Sequence, residues 1–333
     1  MLKKRIIISI LILSIVMLGA VGCANETKEA PKKIKIGLSP WPGWYVWYLV
    51  QDKGFFKKHN VDVDLVWFPV YSDSLQAMNT GKIDGNSQAL SDTLAPLSKG
   101  IDQRIVLVND NSAGGDGIVV KPQYKSIKDL KGKKVVTELG TLEHLLLLTA
   151  LEKNSMTEKD VDFSNMTVND AGPAFIAGNL DAAVLWEPFL SKAIAEGKGV
   201  KIFSSKETPG LIPDLLVMNG NVVDTRKEDV KNIIAAWYDA LEYWKNNPEE
   251  SIAIMAKHAD TSVAEYKQLV EGTKIFTVDD NINAFEKKED LTYLGYSGKK
   301  MGDFLKGLNM LDKVPDLEKS FDPSFVKELK ANK

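Results

Sequence analysis

Aromatic rings and carboxylates are the side chains in this sequence best suited to hold a ligand. The segment PWPGW places Trp41 and Trp44 in a short loop with two prolines and a glycine, where packing alone explains them poorly. An indole face attracts a cation by about 0.5–2 kcal/mol, depending on how far the cation is desolvated. Carboxylates balance the charge of the same cation and accept its hydrogen bonds. Together the two residue types predict a site for a small, positively charged ligand.

The elements that must position these residues alternate between strands and helices. Segments rich in β-branched residues predict strands at 34–38, 61–68, 102–110, 117–121, 133–141, 181–188 and 213–219. The segment KIDGNSQAL (82–90) predicts a further short strand that opens into a loop and a helix. Helical patterns lie between them, as in 45–58 and LEHLLLLTALEKN, and long amphipathic helices follow over 226–272. This alternation predicts an α/β fold with mostly parallel sheets and helices on both faces.

Ligands of an open parallel sheet bind beyond the carboxyl ends of its strands, where loops and helix N-termini meet. The loops at those positions contain aromatic, polar and acidic residues and almost no Lys or Arg. The candidate ligand-binding residues are Trp41, Trp44, Tyr71, Ser87, Asp92, Asp116, Glu143, Trp186 and Glu187. An anion would need cationic side chains or several helix N-termini. A planar guanidinium fits better, because it stacks on Trp and donates paired hydrogen bonds to carboxylates.

Several of these candidates also have an ordinary structural interpretation. Glu143 could complement the dipole of a predicted helix in its first turn, an effect of about 0.3–1 kcal/mol. Asp92 could be a solvated helix residue, and Asp116 could form a turn. Trp47, in an apolar helix start, and Trp67, on a predicted strand, are predicted to lie in the core.

The N-terminal segment predicts export. Basic residues precede an apolar run over 6–21, and small residues end at Cys23. Residues 1–22 therefore read as a signal peptide and 23–32 as a polar tether. The residues before Cys23 resemble the lipobox of bacterial lipoproteins, which implies an extracytoplasmic protein held at the cell membrane by a lipid on Cys23. A secretion signal with an incidental cysteine is the alternative.

Composition excludes several other classes of protein. With 44% hydrophobic and 26% charged residues, the chain is typical of a soluble globular protein. Without residues 1–22 it has 39 basic and 45 acidic side chains and no basic tract, so no nucleic-acid partner is expected. His59, His144 and His258 form no closely spaced pair, so we expect no metal and no cofactor.

Five phrases carry a family resemblance across residues 33–285. They are IKIGLSPWPGW, DKGFFKKHNVDVDLV, SLQAMNTGKIDG, SIKDLKGKKVV and GNLDAAVLWEP. In this order they resemble solute-binding proteins of ABC importers in the nitrate, sulfonate and taurine group, which also contains binders of thiamine precursors. The resemblance implies a permease and an ATPase as partners, with a small-molecule ligand.

The same resemblance implies a two-lobed periplasmic-binding-protein-like fold of type II. Each α/β lobe would hold a mixed sheet flanked by helices, and two crossing strands would form the hinge beside a ligand cleft. Lobe 1 would comprise 33–112 and 220–333, and lobe 2 would comprise 113–219.

The phrases WPGW, NSQALSD and VLVNDNSAGGD further resemble a branch associated with guanidine uptake. Guanidine is therefore the first ligand hypothesis, with taurine or another aliphatic sulfonate, nitrate, or a thiamine precursor as alternatives. A relative of this fold makes a thiamine pyrimidine with a cysteine-rich iron motif. Because Cys23 is the sole cysteine, that chemistry is not expected, and the sequence predicts a binding protein without catalytic residues.

Overall fold

The computed structural model describes residues 32–331 of the chain. The predicted signal peptide (1–22), Cys23 and the tether up to residue 31 lie outside this range. Across the part of the chain that is described, no helix is both long and apolar enough to cross a membrane.

Strands form where β-branched and other apolar residues cluster, as the sequence predicts. They are β1 (Ile34–Leu38), β2 (Val63–Trp67), β3 (Gly85–Ala89), β4 (Gln103–Ser112), β5 (Asp116–Val120), β6 (Lys134–Thr137), β7 (Asp162–Asn165), β8 (Ala182–Trp186), β9 (Val200–Ser204), β10 (Pro213–Asn219) and β11 (Thr273–Ile275). Strands β7, β9 and β11 were not predicted from the sequence. β7 (DFSN) is mostly polar and β11 has three residues, whereas β9 (VKIFS) carries a strand pattern that was missed.

Helices flank these strands. They are α1 (Val46–Asp52), α2 (Phe55–Lys58), α3 (Tyr71–Asn79), α4 (Leu90–Ser98), α5 (Leu142–Lys153), α6 (Val168–Ile176), α7 (Phe189–Ala195), α8 (Gly220–Thr225), α9 (Lys227–Asn246), α10 (Pro248–His258), α11 (Val263–Glu271), α12 (Val278–Phe285), α13 (Leu294–Gly307) and α14 (Ser324–Ala331). The single helix predicted over 45–58 is divided into α1 and α2, because Gly54 adopts a left-handed conformation with φ of 72°.

Two separate sheets organise the strands. The first has the order β11-β4-β10-β3-β1-β2 and the second the order β7-β6-β8-β5-β9. In the first sheet β1 pairs in parallel with β2 and β3, whereas β10 is antiparallel to β3 and β4. In the second, β6 is parallel to β7 and β8, whereas β5 is antiparallel to β8 and β9. Both sheets are therefore mixed, as the family resemblance implied, and not mostly parallel as the strand–helix alternation alone suggested.

The chain passes between the sheets twice, after β4 into β5 and after β9 into β10. This agrees with two crossing segments beside a cleft. Residues from Lys33 onward nevertheless cluster as one unit, so the lobe boundaries at 112/113 and 219/220 stay a prediction.

An aromatic group anchors α1 to α9 in the core. Trp47 is fully buried, with its ring centroid 4.4 Å from that of Trp237 and 6.2 Å from that of Phe56. Its indole N–H donates to Ser87 Oγ at 2.9 Å. The predicted core position of Trp47 is thus confirmed, whereas that of Trp67 is wrong: Trp67 is 38% exposed at the end of the edge strand β2.

Candidate functional site

A small cavity, which we call the cleft, opens between residues of the first sheet and residues of the second. Its empty volume is about 280 Å³, including solvent at its mouth, so the enclosed space is smaller than that. The lining residues are Ser39, Pro40, Trp41, Trp44, Tyr71, Asp116, Leu142, Trp186, Ile212 and Asp214. A cavity of this size suits a ligand of few heavy atoms.

Three aromatic rings form one wall of the cleft and connect the two sheets. The Tyr71 ring lies 5.7 Å from that of Trp44 and meets the Trp186 ring edge-on at 5.6 Å. All three side chains are buried. The indole N–H groups of Trp44 and Trp186 have no acceptor within the described residues. The wall therefore offers both ring faces and unused donors to a ligand.

The PWPGW loop holds its tryptophans against an acidic residue. Pro42 begins a short 3-10 turn, where its missing N–H costs nothing. The Trp41 indole N–H donates to Asp110 Oδ1 at 2.9 Å. A Cβ atom on Gly43 would lie 2.2 Å from Asp110 Oδ2, so only glycine lets the loop approach this closely. The tryptophan and the glycine of the loop thus both allow it to pack closely against Asp110.

Asp92 lies directly behind the aromatic wall. The Tyr71 hydroxyl donates to Asp92 Oδ2 at 2.8 Å and accepts from the Ala89 backbone N–H at 3.0 Å. Burial raises the pKa of Asp92 to about 7, although the hydrogen bond from Tyr71 and the backbone N–H of Leu142 oppose the shift. Asp92 is therefore a buried carboxyl group, and its interpretation as a solvated helix residue is wrong.

Asp110 and Asp214 lie opposite each other on the antiparallel strands β4 and β10. Both side chains are almost fully buried, and as directly opposite residues of an antiparallel pair they lie on the same face of the sheet. Burial raises the pKa of Asp110 to about 7 and raises the pKa of Asp214 well above its usual range, the adjacent charge of Asp110 adding to the second shift. Two ionised carboxylates at directly opposite positions repel, which favours one shared proton between them.

Asp116 and Glu143 form a second carboxyl pair on the side of the second sheet. Asp116 begins β5 opposite Trp186, and Glu143 lies in the first turn of α5. Burial raises the pKa of Asp116 to about 7 and that of Glu143 well above its usual range. Glu143 is completely buried, and neither of its oxygens has a hydrogen-bond partner among residues 32–331. Dipole complementation at a solvated helix end does not describe this residue.

Four predicted site residues, Ser87, Asp92, Glu143 and Glu187, lie outside the lining of the cleft. Ser87 is buried on β3, where its hydroxyl accepts the Trp47 indole N–H. Glu187 follows Trp186, and its carboxylate accepts from the backbone N–H and hydroxyl of Ser191 at 3.0 and 2.8 Å. Burial raises the pKa of Glu187, and its charge in turn raises that of Asp116. Glu187 thus influences the cleft through the effect of its charge on Asp116 and not by lining the cavity.

Sequence reasoning missed Asp110 and Asp214 as site residues. Each was included in a predicted strand, where the surrounding apolar residues made it part of the scaffold. An acidic residue within a buried strand is itself a signal, because burial of a charge is costly without a partner. Ile212 and Leu142 supply apolar lining and carried no comparable signal.

Basic side chains are scarce around the cleft. Its lining within residues 32–331 contains no Lys, Arg or His. The nearby basic group is Lys201, whose charge lowers the pKa of Asp116 and Glu187 and whose amine donates to the Gly114 carbonyl at 3.2 Å. His144 is bound instead to Glu158 at 2.5 Å. In the described part of the chain, no group of three or more His, Cys, Asp or Glu could hold a metal ion.

A family model described as NMT1/THI5 like matches residues 41–251, which is more than half of the chain. The chain belongs to the NMT1/THI5-like family. This match confirms the resemblance to the nitrate, sulfonate and taurine group of solute-binding proteins at the level of the family.

Relatives of this NMT1/THI5-like protein include binding proteins of known structure. An Escherichia coli protein named for binding aliphatic sulfonates is 26% identical over 238 residues, covering 70% of this chain and 74% of the relative. The crystal structure of the periplasmic aliphatic sulphonate binding protein of Escherichia coli matches with a TM-score of 0.72 and 22% identity, over 87% of this chain and 97% of that one. The alkanesulfonate-binding protein of Xanthomonas axonopodis pv. citri, bound to MOPS, matches with a TM-score of 0.73 and 17% identity, over 88% and 99%. These structures confirm the periplasmic-binding-protein fold.

Proposed function

We propose that this protein is the solute-binding component of an ABC importer and that its ligand is a small planar cation such as guanidinium. The transport role is supported by the family and by relatives that are named as binding proteins. On this basis the protein binds its ligand without transforming it. The ligand would bridge the two sheets, and a permease with its ATPase would recognise the closed state.

The observation that carries the ligand class is the set of buried carboxyl groups around a cavity without basic lining. We call these groups the cleft carboxylates: Asp92, Asp110, Asp116, Glu143 and Asp214. A permanent anion placed here would meet several acidic groups and no cationic side chain to replace its water. A guanidinium would donate to their oxygens and lie against the aromatic wall.

Aliphatic sulfonates are the second candidate, and the names of the relatives favour them. The unused indole N–H donors of Trp44 and Trp186 and the unpartnered hydroxyl of Ser39 are cleft groups suited to an oxyanion. Nitrate would use the same donors, and thiamine precursors are a further alternative. The small cavity and its carboxylates argue against all of these larger or anionic ligands.

Calorimetric titration separates the candidates. The purified mature protein is titrated with guanidine, agmatine, arginine, urea, taurine and nitrate at pH 8. We expect guanidine to bind tightly, agmatine and arginine to bind more weakly because of their size, and taurine and nitrate to give no heat of binding. Tight binding of taurine or nitrate with no response to guanidine would overturn the cationic ligand class.

We further propose that the protein is extracytoplasmic and attached to the cell membrane through a lipid on Cys23. The support is the sequence before Cys23, together with relatives whose names place them in the periplasm. Growth with a labelled fatty acid should label the wild-type protein but not a Cys23→Ser variant. Equal labelling of both would refute the anchor.

A further inference from the structure

More carboxyl groups lie in and around the cleft than the charge of a monocation can balance. The five cleft carboxylates are at most 8% exposed, and a guanidinium carries one positive charge. Lys201, the nearby basic residue, acts on Asp116 and Glu187 from outside the lining. Ionised carboxylates in a buried site without cations are strongly unfavourable. Some of these groups must therefore hold protons while the cleft is empty.

The strand register and the contacts of Asp110 favour a proton on Asp214. Asp110 Oδ1 already accepts the Trp41 indole N–H at 2.9 Å. Asp110 Oδ2 is buried and receives no N–H or O–H from any other described residue. Asp214 lies directly across β4 and β10 from Asp110, on the same face of the sheet. A proton on Asp214 gives Asp110 Oδ2 the donor it lacks.

The groups that face Asp214 disfavour its ionisation in the empty cleft. Asp110 faces it from β4, Asp116 from β5 and Asp92 from α4, and all three disfavour a further negative charge. Tyr71 faces it from α3, and its own pKa is raised by burial and by the charges of Asp92 and Asp214. Burial first, and then these acidic neighbours, hold the pKa of Asp214 well above its usual range.

We propose that Asp214 is the charge-selecting residue of the cleft, which is protonated in the ligand-free protein and gives up its proton when the cation enters. This inference rests on the proposed cationic ligand. The carboxyl O–H bond of Asp214 breaks and the proton passes to solvent. The carboxylate that remains pairs with the guanidinium. Asp214 lines the cavity directly, so its proton is the positive charge that the ligand replaces. An anion cannot replace it.

The test is to count protons released on binding. Guanidinium chloride is titrated into the mature protein between pH 5.5 and 8.5 in two buffers of different ionisation enthalpy, neither of them a sulfonate. Guanidinium itself does not titrate in this range, as its pKa resembles that of an arginine side chain. We expect release of about one proton per ligand at neutral pH. The affinity should rise with pH, by at most about tenfold per unit for one proton.

Variants assign the released proton to Asp214. An Asp214→Asn side chain can still donate to Asp110 but cannot ionise. We expect it to fold, to bind guanidinium more weakly at pH 8, and to lose most of the proton release and of the pH dependence. Asp224→Asn removes an exposed carboxylate of α8 and should change none of these. Full proton release by Asp214→Asn would overturn the assignment.

The wild-type titration alone also decides the inference, whether or not the variant folds. Guanidinium binding without proton release at any pH would overturn the proton exchange while leaving the proposed ligand intact. Failure of guanidinium to bind at every pH would instead overturn the proposed ligand, and the exchange with it.

Discussion

Two aromatic clusters begin only three residues apart, at Trp44 and Trp47, and have opposite surroundings. Trp47 packs between Phe56 and Trp237, and its indole N–H is satisfied by Ser87. Trp44 is equally buried but lines a cavity, and its indole N–H has no acceptor within the described residues. Both regions are rich in aromatic residues, so aromatic density in the sequence does not distinguish a core cluster from a ligand site.

The polar atoms around each cluster make the distinction. Unpartnered carboxylate oxygens of Asp110, Asp116 and Glu143 lie around the cleft, whereas in the aromatic group of Trp47, Phe56 and Trp237 the unpartnered polar group is the Trp237 indole N–H. Each buried polar group without a partner costs about 1–3 kcal/mol. Several unpartnered carboxyl groups in one place destabilise the ligand-free protein, and a bound ligand that pairs with them explains why they are there. The four predictions below test this difference, from the largest expected effect to the smallest.

Trp47→Ala should produce the largest loss of stability. Removing a fully buried tryptophan lowers the free energy of unfolding by about 3–5 kcal/mol, measurable by denaturant titration. The exposed Trp67 provides a matched control, and Trp67→Ala should cost about 1 kcal/mol. Whatever fraction of Trp47→Ala is folded should bind guanidinium with nearly wild-type affinity. Equal destabilisation by the two substitutions would contradict the assignment of Trp47 to the core.

Stability of the ligand-free protein should fall as the pH rises from 5 to 8. Burial raises the pKa values of Asp92, Asp110 and Asp116 to about 7. The folded state therefore binds more protons than the unfolded chain above about pH 4. That stabilisation is complete below the unfolded pKa and is lost as the pH passes through the folded pKa. Each unit of raised pKa corresponds to about 1.4 kcal/mol for a group that ionises fully.

Scanning calorimetry at pH 5, 6, 7 and 8 measures this dependence. We expect the melting temperature to fall steadily without ligand and to fall less in saturating guanidinium, because the cation stabilises the ionised cleft. A melting temperature that rises over this range in the absence of ligand would show that the cleft carboxylates ionise freely.

Trp44→Ala should weaken ligand binding more than it weakens the fold. Loss of the indole face removes about 0.5–2 kcal/mol of cation attraction, or about 2–30-fold in Kd. Trp44→Phe should recover part of this affinity, since a phenyl ring attracts cations less strongly than an indole. Titration with guanidinium provides the measurement, and Trp67→Ala is again the control. Unchanged guanidinium affinity in Trp44→Ala would show that the aromatic wall does not bind the ligand.

The sequence predicted one half of this site better than the other. Trp41 and Trp44 follow β1 and Trp186 ends β8, so the rule for strand ends was enough to place them at the cleft. Asp110 and Asp214 face each other only because β10 pairs antiparallel with β4, between strands that are about a hundred residues apart in the chain. No local pattern contains that register, and the pair became visible only in the assembled sheet.

Exposure was the other property that local patterns did not determine. Trp67 alternates correctly for a half-buried strand, but β2 is at the edge of its sheet and the side chain remains partly in solvent. Ser87 lies near the end of a strand like the residues that line the cleft, but its hydroxyl accepts the Trp47 indole N–H instead of facing the cavity. Position in the sheet and competition between neighbours decide such cases, and both are tertiary properties.

Lys201→Met should give the smallest effect, and its sign tests the electrostatic account of the cleft. The exposed amine of Lys201 lowers the pKa of Asp116 and Glu187 and repels an incoming cation. Its removal takes away that repulsion but leaves Asp116 more protonated at neutral pH. At pH 8 and low salt the first effect prevails, and guanidinium should bind about twofold more tightly, on the scale of surface charge interactions. The gain should vanish at 1 M salt, where the screening length is about 3 Å. A weaker affinity at pH 8 would mean that Lys201 stabilises the bound state, as expected if the ligand were an anion.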